Sequence, residues 1–153
     1  MAEVSGITQE MRELLGVETE PVTCEVEKGM IKSFAQAIDD DNPLWQDEEY
    51  AKKTRYGGII APPTFPTALS TSALFDKFLL MEGPYERLLN GGNELEYFQP
   101  IRPGDVISAT AKIANLRERE SKTGKMLFMI IEVTYKNQRG EVAAKERDTI
   151  IRY

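Results

Sequence analysis

No Asp, Glu, Lys or Arg occurs between Ile59 and Phe75, a stretch that reads IIAPPTFPTALSTSALF. A helix on a protein surface carries charge on its outer side, so a helix built from this stretch must be covered over most of its circumference. Pro63 suits a first helical position, where a missing N–H costs little, and Phe65, Ala68, Leu69, Ser72 and Ala73 then share one side. The helix is expected to run to about Leu80. From Asn93 onward the period changes to two. Leu95 and Tyr97 alternate with Glu94 and Glu96, Arg102–Asp105 makes a turn, and Ile107, Ala109, Ala111 and Ile113 mark one strand face. After a turn at Ser121–Gly124, Leu127, Met129, Ile131, Val133 and Tyr135 mark another. A last turn at Asn137–Gly140 leads into a strand from Glu141 to Tyr153. An antiparallel meander of about four strands thus follows an uncharged helix that it can wrap, which predicts an α+β fold.

The amino-terminal half adds smaller elements. Ile7, Met11, Leu14 and Leu15 give a short amphipathic helix ending at Gly16. Val22, Cys24 and Val26 alternate with polar residues as a first strand, and Met30, Ile31, Phe34, Ala37 and Ile38 form a second helical stripe. That stripe is stopped by Asp39, Asp40, Asp41, Asn42 and Pro43, and a short helix from Asp47 to about Thr54 follows. A length of 153 residues fits a single domain, 1–153, with no repeat and no linker.

Composition narrows the function. The chain is 41% hydrophobic and 29% charged, without the roughly 18 to 20 consecutive apolar residues of a membrane span, so no membrane partner is expected. Its 19 Lys and Arg stand against 25 Asp and Glu, a net charge of −6 without a basic block, which argues against nucleic acid. The start, MAEVSGITQEMRELL, carries acids early and does not look like a signal peptide, so the cytoplasm is the expected compartment. A single cysteine, Cys24, excludes an internal disulfide and reads as a small half-buried hydrophobe. Histidine is absent altogether. Serine–histidine and cysteine–histidine triads and histidine metal sites are therefore excluded, and no metal or resident cofactor is expected. Acid–base chemistry falls to carboxylates, Lys, Tyr or Cys24.

Three places carry candidate chemistry. Asp39, Asp40 and Asp41 fall at a helix carboxyl end, where the macrodipole favours cations, and mutual repulsion further disfavours ionisation, the direction a general base needs. The competing reading is a solvated turn in which Asp and Asn cap and bend the chain before Pro43. The loop Tyr56–Phe65 is the second place. Its glycine pair, Gly57 and Gly58, permits close backbone approach, and a helix start offers free N–H groups to a thioester carbonyl. Pro62 and Pro63 have none, which leaves Thr64 and Phe65 as the nearest donors. As a plain connector the same loop needs no function. Asn90–Asn93 reads as a third polar, flexible loop.

Four segments in order carry a resemblance: FAQAIDDDNPLW, YGGIIAPPTF, LNGGNELEYFQPIRPGD and a meander ending in ERDTIIRY. From about Val22 to Tyr153 the chain resembles the MaoC-like dehydratases with a hot-dog fold, and more closely the amino-terminal type found in FAS1-like dehydratases. The resemblance implies a curved antiparallel sheet wrapped around a long central helix. It also implies (R)-specific hydration of enoyl thioesters, or dehydration of 3-hydroxyacyl thioesters, carried on coenzyme A or acyl carrier protein. Active members of the family have an Asp-x-Asn-Pro-x-His motif whose Asp and His activate water. Asp40, Asn42 and Pro43 match it, and Trp45 stands where the histidine would be. Asn90 likewise stands where many relatives have a histidine. Carried over by resemblance, Asp40 and Asn42 are the catalytic candidates. Trp45, Tyr56, Gly57, Gly58, Ile60, Pro63, Thr64, Phe65 and Asn90 are the substrate-binding candidates.

The resemblance further implies an oligomer, as a homodimer or as a heteromer with a histidine-bearing MaoC-like subunit, in which this chain shapes the acyl tunnel. Two other readings stand beside it. One is a self-sufficient weak hydratase with Asp40 as sole base. The other is an acyl-CoA binding protein without chemistry, in which Trp45 and Phe65 line an apolar tunnel and Arg102, Arg117, Arg119 and Lys122 meet the phosphates of coenzyme A.

Overall fold

Strands dominate where β-branched and aromatic residues alternate with polar ones. The fold was analysed in a computed structural model, described for residues 5–69, 72–122 and 124–153. The side chains of Ser72 and Ala73 lie outside the described residues, and with them the expectation that both share the helix's buried side. Thr123, in the expected Ser121–Gly124 turn, and residues 1–4 also lie outside. The helices are α1 (Gln9–Glu13), α2 (Lys28–Ala37), α3 (Glu48–Lys52), α4 (Pro66–Leu69) and α5 (Ser72–Leu79), with a 3₁₀ turn at Pro43–Trp45. The strands are β1 (Val22–Glu25), β2 (Leu88–Tyr97), β3 (Val106–Ser121), β4 (Gly124–Lys136) and β5 (Val142–Arg152). All pairings are antiparallel, in the order β1-β3-β4-β5-β2. No helix among the described residues is long and apolar enough to cross a membrane.

Period two places the core. Ala109, Ala111 and Ile113 on β3 lie opposite Tyr135, Val133 and Ile131 on β4, and all six are buried. Leu127 and Met129 extend this face, and Phe65, Leu69, Leu74 and Phe78 come down onto it from the helical side. Each large apolar side chain buried in this way contributes about 1.5–3 kcal/mol. The result is the α+β hot-dog arrangement, a five-stranded antiparallel sheet with the uncharged helical segment on its inner face.

Four expectations are corrected. β2 does not continue a simple meander: it crosses to the far edge of the sheet and pairs with β5. Asn90–Asn93 is not a loop but part of β2, where a register shift between Asn90 and Gly92 makes a bulge. The Asn90 carboxamide oxygen accepts from the Gly92 N–H at 2.8 Å, and Gly92 takes φ +149°, which glycine adopts without steric cost. The helix starts at Pro66 rather than Pro63. Pro62 and Pro63 hold the chain in tight turns, with Phe65 N–H bonded to Pro62 O at 2.9 Å, and Pro66 takes the first helical position instead. Finally, the uncharged segment is covered on one side only, since Pro63, Thr64 and Ala68 are exposed.

Candidate active site

The acidic run after α2 is a helix stop with two distinct jobs. Asp39 N–H bonds to Gln36 O at 3.2 Å and Asp40 N–H to Ala35 O at 2.9 Å, the paired bonds of a Schellman ending. Such an ending needs a left-handed residue, and Asp39 supplies it at φ 55°, where glycine is usual. Asp40 is thereby turned inward. Its Oδ2 accepts the indole Nε1–H of Trp45 at 2.8 Å, and its Oδ1 accepts the Asn42 N–H at 3.1 Å. Asn42 in turn caps the 3₁₀ turn, its Oδ1 accepting from Leu44 N–H at 3.0 Å. Asp41 stays exposed. Asp40, Asn42 and Trp45 therefore form one hydrogen-bonded unit, with the Trp45 ring buried.

The other face of Trp45 lines a cavity of about 430 Å³. Leu44, Tyr56, Ile60, Pro62, Pro63 and Pro66 line it from the helical side. Tyr97 and Phe98, from the end of β2, and Ala144 on β5 close it from the sheet side. Among the described residues Arg55 is the only cation in its wall, with its guanidinium 4.9 Å from the Tyr56 ring centre and an N–H donated to the Tyr56 hydroxyl at 2.8 Å. An apolar hollow with one cation at its wall has the chemistry to hold an acyl chain.

The sequence-derived candidates are only partly brought together. Trp45, Tyr56, Ile60 and Pro63 line the cavity, and Asp40 and Asn42 lie behind Trp45. Gly57 and Gly58 face a separate recess. Phe65 does not line the cavity: it is fully buried and meets Phe34 edge-on, with ring centres 5.6 Å apart. Its N–H is spent on Pro62 O, whereas the exposed Thr64 N–H donates to nothing among the described residues. Asn90 sits on β2, away from Trp45, and donates to the Asn93 carboxamide oxygen at 2.8 Å. Arg117 and Arg119 lie on the outer sheet face beside Phe128, and Lys122 at the far tip of β3, so none of the three reaches the cavity mouth.

Sequence reasoning missed Arg55, Tyr97, Phe98 and a buried acid pair. Glu146 and Asp148 point inward from β5 and are 3% and 2% exposed. The Tyr135 hydroxyl donates to Glu146 Oε2 at 2.5 Å, and Asn93 donates to both carboxyl groups. Burial, with the neighbouring Glu146 charge added, holds Asp148 up at about 7. Burial and the same Glu146 charge raise the Tyr97 hydroxyl above its ordinary value. One signal was available: Ala144, Glu146, Asp148 and Ile150 share a parity in the last strand, so the buried Ile150 carries two acids inward with it.

Comparisons with known proteins agree with the fold. A profile of the FAS1-like dehydratase domain region matches residues 13–146. A UPF0336 protein of Thermobifida fusca is 36% identical over 111 residues, 69% of this chain and 72% of that protein. A protein of Thermomonospora curvata named "Probable enoyl-CoA hydratase alpha subunit" is 28% identical over 139 residues, 81% of this chain but only 44% of the relative. Among solved structures, the HadBC (3R-hydroxyacyl-ACP dehydratase) complex of Mycobacterium tuberculosis superposes with a TM-score of 0.77 at 22% identity. That match covers 90% of this chain and 96% of the other.

Proposed function

The chain belongs to the MaoC-like dehydratases of the FAS1 type, and from that premise we propose that it is the histidine-lacking subunit of a heteromeric (R)-specific enoyl-thioester hydratase or 3-hydroxyacyl-thioester dehydratase. The observation that carries this reading is the bond from Trp45 Nε1–H to Asp40 Oδ2. In active members a histidine at this place shares the activation of water with the aspartate. An indole N–H only donates, and it has no basic nitrogen to take a proton. Here the ring instead ties the carboxylate into its own loop and turns an apolar face to the cavity. The chain then shapes the acyl cavity, while a histidine-bearing MaoC-like subunit supplies the base. The heteromeric HadBC complex and the relative named as an alpha subunit support a divided enzyme of this kind.

The test is crotonyl-CoA hydration, read as loss of enoyl-thioester absorbance, by the purified chain alone and after mixing with histidine-bearing MaoC-like subunits. The expected result is no turnover alone and turnover in a mixture. Rapid hydration by the chain alone, abolished by Asp40→Asn, refutes the division of labour and makes Asp40 a sole base.

A further inference from the structure

The run Arg117, Glu118, Arg119, Glu120 is neutral as written, but the period of two sorts its charges onto opposite faces of β3. Arg117 and Arg119 stand on the outer face, while Glu118 turns the other way and accepts from Ser5, Gly6 and Tyr85. Two strands across, Arg147 of β5 reaches the same outer face, because Glu146 and Asp148 on either side of it point inward. The three arginines line one hollow of about 300 Å³, floored by Phe128 and Ile130 of β4. Asn115 and Thr149 complete the wall, so among the described residues no carboxylate lines it, in a chain whose net charge is −6. Arg117 and Arg119 pair with no carboxylate among the described residues, and the Arg119 guanidinium lies 5.6 Å from the Phe128 ring centre. Arg147 meets Glu132 at 3.3 Å, but that pair is solvent-accessible and Glu132 is shared with Lys112 at 3.9 Å. A pair of this kind holds weakly against a multiply charged ligand.

Like charges repel, so three cations gathered around one hollow work against the fold unless an anion joins them. Their spacing sets its kind. Arg117 is in register with Phe128, and Arg147 with Glu132 four residues further along β4, which separates the two by about 13 Å along the strands. A single phosphate or carboxylate engages one or two guanidinium groups at that spacing, whereas a row of phosphates engages all three. We propose that the Arg117–Arg119–Arg147 hollow is a binding site for an oligophosphate. Each planar guanidinium matches two phosphate oxygens at once. Two sources carry this chemistry: a nucleoside di- or triphosphate, and a bare inorganic oligophosphate. Phe128 and Ile130 give a base an apolar floor to lie on, which favours the nucleotide, and the volume is that of one small ligand. The hollow opens on the opposite side of the sheet from the Trp45 cavity, so this inference is independent of the acyl-thioester reading.

The experiment titrates the intact chain calorimetrically with ATP, inorganic tripolyphosphate and AMP, at low and at high salt. ATP, tripolyphosphate or both should bind saturably, about tenfold or more tighter than AMP, and more weakly as salt rises. Arg117→Ala and Arg147→Ala should each weaken that binding about tenfold. Lys53→Gln removes the same charge at the end of α3, on the helical side, and should leave it unchanged. All three positions are exposed, so none of these variants threatens the fold. ATP binding tighter than tripolyphosphate, with the difference lost in Phe128→Leu, identifies a nucleotide. Tripolyphosphate binding as tightly as ATP, or more tightly, identifies the bare oligophosphate. No saturable binding of ATP or tripolyphosphate, or binding that Arg117→Ala and Arg147→Ala leave unchanged, overturns the site.

Discussion

Asp148→Asn should stabilise the protein at neutral pH and do so in a pH-dependent way. Asp148 and Glu146 lie two residues apart on the buried face of β5, 2% and 3% exposed, so two full charges there are strongly disfavoured. Asp148 accordingly keeps its proton up to about 7, against an ordinary value of 3.8. The sign follows from linkage. Below about pH 4 both folded and unfolded chains hold the proton, and there is no penalty. As pH rises toward 7 the unfolded chain releases it while the folded chain retains it, so stability falls; above 7 the loss is complete. A shift of about three pK units corresponds to roughly 4 kcal/mol, of which roughly 2–3 kcal/mol accrues between pH 5 and pH 8. Asparagine has nearly the same shape, still offers an oxygen to Asn93, and cannot ionise. The gain of Asp148→Asn over wild type, from urea unfolding at pH 5, 6, 7 and 8, should grow by about 2–3 kcal/mol across the series. A difference that stays constant with pH would show that Asp148 does not retain its proton, and would refute the argument.

Three further outcomes are expected. Asp39→Gly relieves a left-handed aspartate at the end of α2 and should stabilise the fold by about 0.5–1 kcal/mol in the same unfolding assay. Gly92→Ala places a side chain at φ +149° and should cost about 1–3 kcal/mol, although the space around it is open. Trp45→His restores a nitrogen base beside Asp40; on the mechanism proposed above it should raise crotonyl-CoA hydration by the chain alone about 10²-fold or more over wild type, and no rise would argue against the assigned role of position 45.

The sheet was legible because strict alternation over β3 and β4 allows only one face to be buried, and Ile107 to Ile113 and Leu127 to Tyr135 mark it without conflict. Asp40, Asn42 and Trp45 were legible as neighbours because the stop of α2 is local, although the bond between the Trp45 ring and Asp40 was not. What stayed hidden depends on contacts distant in sequence. Its place in the loop points Phe65 toward the cavity, yet three prolines turn it into the core against Phe34. Tyr97 and Phe98 reach the cavity only because β2 crosses the sheet to pair with β5, and alternation within a strand does not reveal its partner. Arg55 is silent in sequence, since a lone cation between Thr54 and Tyr56 has no pattern.

The β2 strand carries one more consequence. Its ten residues are exposed along nearly their whole length, its outer edge pairs with nothing among the described residues, and Leu88, Leu89, Tyr97 and Phe98 at its two ends are each 40–48% exposed. An edge that long, with apolar residues at both ends, is an invitation to strand addition by any neighbouring chain. An exposed edge of this kind makes the chain alone prone to self-association, which should show as precipitation that rises with its concentration. On the heteromeric reading proposed above, co-production with a histidine-bearing subunit that covers the edge should rescue the yield, which makes stoichiometry, and not only sequence, a condition for obtaining it intact.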